Sequence, residues 1–197
     1  MSARTVWFLT HPEVHVDPST PVEEWGLSDV GRARAGALRD GPWLEHVSSV
    51  WSSTETKAVE TADLIAGDRP RRTHPGLGEN DRSATGFLPP AEFETVADAF
   101  FAHPEMSARG WTRAVDEQAR IVAAVDDVLA DARSGSGDVV VVAHGAVGTL
   151  LRCHLTGSPI SRAHDQPGQG HWFTFDRDSR QVHEAAWRPL EDLLARR

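Results

Sequence analysis

Four consecutive valines, Val139–Val142, closed by Ala143-His144-Gly145, constrain the fold more than any other feature of the chain. An unbroken β-branched run, without polar alternation, is the pattern of a central parallel strand buried on both faces. Parallel strands need long crossover connections, usually helices, and the flanking sequence supplies them. Thr5–Thr10 reads as a short strand running into His11-Pro12, where the chain turns. Ser28 is a helix N-cap, with helical signals through Ala33, Ala35 and Leu38. Val47–Ser52 is a second strand, feeding a helix from about Thr54 to Ala66 that Gly67 and Pro70 stop. Residues 68–90, rich in Pro and Gly, read as a loop excursion with one short strand near Arg72–His74. Helices follow over Ala91–Ala102 and from about Thr112 to Arg133. In the second of these, Val115, Ala119, Val122, Val125 and Leu129 form the expected buried face. A helix from Ala146 to about Thr156 succeeds the valine run. His171–Asp176 and Gln181–Trp187 alternate like a closing antiparallel hairpin, and a short helix ends the chain. The expectation is a three-layer α/β/α sandwich over residues 1–197, one domain, with a mainly parallel central sheet and an antiparallel edge.

Composition narrows the function classes. A net charge of −9 on 197 residues argues against broad nucleic-acid or anionic-membrane binding, both of which use basic patches. A local positive pocket for a small anion remains compatible with it. Cys153 is the only cysteine, so no internal disulfide can form and a reducing cytoplasm fits. The first ten residues show no basic leader, and no apolar stretch approaches the roughly 18 residues of a membrane span. The reading is a soluble cytoplasmic protein without nucleic-acid or membrane partners, its oligomeric state left open.

In open α/β sheets ligands bind outside the carboxyl ends of the strands. His11 directly follows the first strand and His144 the most buried one. Either alone reads equally well as a strand-end residue with a satisfied hydrogen bond. At equivalent topological positions they point together to one crevice, where Gly145 and the helix after it could present backbone N–H groups to an anion. His11 and His15 lie four apart, but Pro12 intervenes and no metal-binding helix motif exists, so no metal is expected. Trp7, Trp51 and Trp172, in predicted strands, read as core, and His171 and His183 as structural. No glycine-rich nucleotide cradle is present.

Five ordered segments resemble the histidine phosphatases, relatives of the phosphoglycerate mutases. Leu9-Thr10-His11-Pro12-Glu13 resembles the Arg-His-Gly-Glu signature, with His and Glu kept. Leu27-Ser28-x-x-Gly31-x-x-x-Ala35 resembles the start of the family's first helix. Ser52-Ser53 through Lys57-Ala58-x-x-Thr61-Ala62, Leu77-Gly78-Glu79 and Val141-Val142-Ala143-His144-Gly145 complete the set. The resemblance implies a phosphoric-ester hydrolase that uses no cofactor and acts on a small phosphorylated metabolite. His11 would carry the phosphoryl group, His144 would hold its oxygens, and Glu79 would serve as general acid–base. Glu79 also reads as a solvated loop carboxylate.

The departures bear on phosphate binding. The family arginine before the nucleophile is Thr10, the glycine after it is Pro12, and the second arginine is Lys57. Arginine grips phosphate bidentately, whereas lysine is a flexible point charge. A charge-assisted hydrogen bond contributes about 1.5–3 kcal/mol, so losing one weakens phosphate binding roughly ten- to a hundred-fold. Thr10, Lys57, Gly145 and, as a substitute cation from the loop, Arg82 are the expected phosphate contacts. The thinned clamp also admits an inactive or substrate-shifted protein that binds a small ligand on the same fold.

Overall fold

The structure, a computed structural model, describes residues 4–196. Its strands are β1 (Thr5–Thr10), β2 (Val47–Ser52), β3 (Arg71–Thr73), β4 (Asp138–Ala143), β5 (His171–Asp176) and β6 (Arg188–Pro189). The α-helices are α1 (Asp29–Gly36), α2 (Thr56–Ala66), α3 (Pro90–Ala102), α4 (Ala114–Ala130) and α5 (Gly145–Thr156). The sheet order is β3-β2-β4-β1-β5-β6, parallel from β3 to β1 and antiparallel at β5 and β6. The expected architecture therefore stands, antiparallel edge included.

The valine run lies at the centre because both of its faces are covered. Val139, Val141 and Ala143 face the layer of α3, α4 and α5, together with Val6 and Phe8 of β1. Val140 and Val142 face α1 and α2, together with Trp7, Leu9 and Val50. All four valines are fully buried, and each contributes roughly 1.5–3 kcal/mol by leaving water. Trp7, Trp51 and Trp172 are core residues, as their strand positions suggest.

Two glycines allow close approach where a side chain could not fit. A Cβ on Gly31, in the first turn of α1, would lie 2.1 Å from the Glu13 carbonyl oxygen. That contact docks α1 onto the loop that carries His11, and Ser28 reinforces it. The Ser28 N–H donates to the same carbonyl at 3.0 Å, and its side chain caps the helix by accepting from the Gly31 N–H. A Cβ on Gly148 would lie 2.6 Å from the Phe8 ring, so α5 packs against β1 at glycine distance.

Two expectations need correction. Gln181–Trp187 is not a strand. Val182 bridges Phe175, and only Arg188 and Pro189 then pair with Trp172 and His171. Between them the Thr174 carbonyl still accepts the His183 N–H at 3.0 Å, but the Thr174 N–H goes to the Glu184 carboxylate at 2.7 Å, so a side chain takes one of the two ladder bonds there. On α4 the buried stripe is Ala114, Glu117, Ile121, Ala124, Val125, Val128 and Leu129, with Ala119 exposed. Val125 and Leu129 are buried as expected and Val122 packs half-buried against the core. The periodicity missed the rest of the face because a glutamate occupies the stripe, and Glu117 can be buried only because Arg120 pairs with it.

Gly31→Ala should destabilise the protein by about 1–3 kcal/mol, because overpacking against a backbone carbonyl leaves no rotamer to relieve it. Urea unfolding with an unchanged slope would read this shift, and an unchanged midpoint would refute the docking role.

Candidate active site

The in-register pairing of Thr10 with Ala143, and of Ser52 with Val142, brings three adjoining strands to an end at one level. His11, His144 and Ser53 are the next residues of β1, β4 and β2. The His11 N–H donates to the Ala143 carbonyl at 3.2 Å and the Ser53 N–H to that of Val142 at 3.0 Å. The imidazoles of His11 and His144 consequently meet edge to face, with ring centroids 5.2 Å apart at 63°.

His11 is 8% exposed, and its Nδ1 lies 2.9 Å from the Pro12 carbonyl oxygen. A carbonyl only accepts, so Nδ1 carries the proton and Nε2 keeps a lone pair. Burial pushes the His11 pKa down to about 4; the Pro12 bond opposes the shift, and the charges of Lys57 and Arg82 add to it. His144 is fully buried, its Nε2 2.7 Å from Ser53 Oγ and 3.3 Å from Glu55 Oε1. Burial first, then His11, holds His144 well below the ordinary imidazole range. Its Nδ1 has no hydrogen-bond partner among the described residues.

Glu79 stands on the loop between β3 and α3. Its carboxylate accepts from the N–H groups of Val147 (3.2 Å) and Ala146 (3.4 Å) in the first turn of α5, and from that of Asn80 (3.1 Å). The group held at this helix N-terminus is therefore the protein's own carboxyl side chain. Burial raises the Glu79 pKa; Arg82 and the amide donors oppose that, and the charge of Glu55 adds to it. Arg120 of α4 fixes the loop, donating to the carbonyls of Gly76 (2.7 Å), Gly78 (3.0 Å) and Glu79 (2.9 Å) while paired with Glu117. Glu117 in turn accepts the Asp81 N–H at 2.9 Å.

Two residues expected on the phosphate are held elsewhere. Thr10 Oγ1 bonds to Gln166 Oε1 at 2.7 Å and accepts the His171 N–H at 3.0 Å, joining β1 to the neighbouring segment. Lys57 is 3% exposed and donates to Glu55 Oε2 at 2.5 Å and to the Val22 carbonyl at 2.8 Å. Its cation is thus balanced internally, and it tethers the loop that follows His11. Arg82 packs over the Phe93 ring at 5.1 Å, and its charge acts on His11, His144 and Glu79 together. Gly145 stands beneath the Gln166 amide, where a Cβ would lie 2.4 Å from Nε2.

Four residues assigned no role from sequence enter the site. Ser53 could have been found, since it follows its strand as the two histidines follow theirs. Glu55 lies inside a recognisable segment but resembles any exposed helix-cap acid. Gln166 and Arg120 act across long sequence separations and leave no local signal. No group of three or more metal-ligating side chains is gathered among the described residues, and no helix there is long and apolar enough to cross a membrane.

A mainly parallel sheet with paired histidines at adjoining strand ends defines a phosphoglycerate mutase-like fold. The chain belongs to the histidine phosphatase superfamily (branch 1), which it matches over residues 7–188. By sequence no curated protein matches it. Among solved structures it is similar to YhfR of Bacillus stearothermophilus, with TM-score 0.75 and 23% identity over 92% of this chain and 95% of that one. It is also similar to a mycobacterial glucosyl-3-phosphoglycerate phosphatase in complex with inorganic phosphate, with TM-score 0.73 and 22% identity over 94% and 95%. A putative alpha-ribazole-5'-P phosphatase of Escherichia coli has TM-score 0.70 and 19% identity over 95% and 98%.

Arg120→Met should cost on the order of 3 kcal/mol, because it leaves the buried Glu117 carboxylate unpaired; urea unfolding would measure it, and a loss below experimental error would refute the clamp. The His11 shift adds a pH dependence. Between its folded value of about 4 and the ordinary 6.5, the unfolded chain binds more protons. The His11 contribution is therefore complete above about pH 6.5 and declines as pH falls, by on the order of 3 kcal/mol at about pH 4. His11→Gln should flatten the stability profile across that interval, and equal slopes in variant and parent would contradict the shift.

Proposed function

We propose that the protein is a phosphoric-ester hydrolase acting through a phosphohistidine on a small phosphorylated metabolite, as one domain in the cytoplasm without a cofactor. The observation that carries this reading is His11, a buried imidazole uncharged at neutral pH, with Nδ1 committed to the Pro12 carbonyl and the Nε2 lone pair retained. That is the state a nitrogen nucleophile needs. His11 Nε2 attacks phosphorus as the bond to the leaving oxygen breaks, and protonated Glu79 donates its proton to that oxygen. Water then attacks phosphorus, Glu79 takes its proton, and the P–N electron pair returns to His11. The raised Glu79 pKa suits a group that must begin as an acid. Arg82 and His144 hold the phosphoryl oxygens, with the Gly145 backbone at the helix N-terminus beside them.

His144 fits this role in one tautomer. In that tautomer Ser53 Oγ, which accepts the Glu55 N–H at 3.2 Å, donates a hydrogen bond to His144 Nε2 at 2.7 Å, and Nδ1–H is the donor for a phosphoryl oxygen. The names of the relatives support phosphate-ester chemistry, two of them being phosphatases. A second reading, a ligand binder without phosphoryl transfer, draws on Thr10 and Lys57, both engaged within the protein.

Turnover of an aryl phosphate should vanish in His11→Ala with the fold retained. In Glu79→Gln, kcat should fall about 10²–10⁴-fold and the alkaline limb of the parent's pH profile should disappear. The acid limb should lie near the His11 value of about 4. A folded parent with no activity on any phosphate ester would favour the binder.

A further inference from the structure

The Glu55 carboxylate touches three site residues, Lys57, Glu79 and His144, yet it has no step of its own in the phosphoryl-transfer chemistry. Its side chain is 13% exposed. Oε2 accepts from Lys57 Nζ at 2.5 Å, while Oε1 accepts the Glu79 N–H at 2.6 Å and lies 3.3 Å from His144 Nε2. One carboxylate thus takes an ammonium and a backbone donor beside the imidazole expected to hold a phosphoryl group. These are donors and charges that an incoming anion would otherwise find available.

The charge balance of the pocket follows. From α2 and the residue before it come Lys57 and Glu55, opposite in sign and in contact. From the β3–α3 loop come Arg82 and Glu79, and from the strand ends His11 and His144. Arg120 of α4 is neutralised by Glu117. Both imidazoles are uncharged at neutral pH because burial lowers them, and burial shifts Glu79 toward its neutral form. At most one positive charge, that of Arg82, is left unbalanced for the substrate. An ester phosphate above its second pKa of about 6 brings close to two negative charges, and a phosphodiester brings one.

We propose that Glu55 is a specificity-determining residue, an internal anion that tunes the cradle to singly charged phosphoryl groups, so that the substrate class is a small phosphodiester in preference to a dianionic monoester. The assignment rests on the phosphoryl-transfer reading for its chemistry, but its charge argument concerns binding alone. With a diester, His11 Nε2 forms the P–N bond, the leaving oxygen departs with the Glu79 proton, and the second ester group stays on phosphorus. Water then displaces His11, giving its proton to Glu79. The products are an alcohol and a phosphomonoester, whose second negative charge disfavours rebinding.

The test compares methyl p-nitrophenyl phosphate with p-nitrophenyl phosphate at about pH 8, where the monoester is dianionic. The parent should show the higher kcat/KM on the diester. Glu55→Gln keeps an oxygen for the Glu79 N–H and removes the charge, and should move the preference at least about tenfold toward the monoester. Glu55→Asp, which keeps the charge, should stay with the parent. An unchanged preference in Glu55→Gln, or the same change in both variants, overturns the proposal. Calorimetric titration of the parent and Glu55→Gln with inorganic phosphate gives a readout free of turnover. The parent should bind more weakly at about pH 8 than at about pH 5.5, and Glu55→Gln should bind about tenfold more tightly than the parent at the higher pH. Should neither ester be turned over while phosphate binding responds in this way, the hydrolase reading fails and the role of Glu55 stands. Equal phosphate affinity in parent and variant, or none in both, overturns it, and the parent's own pH dependence decides if the variant does not fold.

Discussion

The parallel pairing of β1 with β4, with Thr10 opposite Ala143, is the contact on which the site depends. Side chains alternate between sheet faces, so a slip of one residue would turn Phe8 and Val6 from one helical layer toward the other. It would also separate His11 from His144 by a residue along the strands. The register resists slipping because both layers are specific: Gly148 receives the Phe8 ring on one side, and Trp7 packs edge to face on Trp43 on the other. The apolar packing that stabilises the sheet is therefore also what aligns the two imidazoles.

Around that pair the protein holds charged groups at unusual depth, and each is paired in a way that suits chemistry better than stability. Burial keeps His11 and His144 neutral and pushes Glu79 toward its acid form, which opposes folding at the pH extremes while providing a nucleophile and a proton donor. Arg120 and Glu117 offset part of this by locking the Glu79 loop to α4 through backbone carbonyls and an N–H. Lys57 and Glu55 perform a parallel task on the other side of the site, where the ammonium also tethers the backbone at Val22.

Much of the sheet was legible because its signals are local. The valine run, the Ser28 cap and the Gly67–Pro70 stop each act over a few residues, and the observed elements begin and end within two or three positions of those expected. The misreadings occurred where a polar side chain took a structural place. Glu184 took the Thr174 N–H that a strand partner's carbonyl would accept, and Glu117 occupied an apolar stripe. Periodicity treats both as solvent-facing, and only a distant partner reverses that.

The sequence by itself determined the layered fold, the family and the placing of His11 and His144 at strand ends, because hydrophobic pattern and topology follow from neighbouring residues. Tertiary structure decided which side chains are left available to a substrate. Thr10 is bound to Gln166, Lys57 to Glu55, and the first turn of α5 to Glu79. These partners lie 156, 2 and 68 residues apart. Even the nearest of them meets Lys57 in the site because the fold buries both, and buried donors must find acceptors wherever the chain brings them.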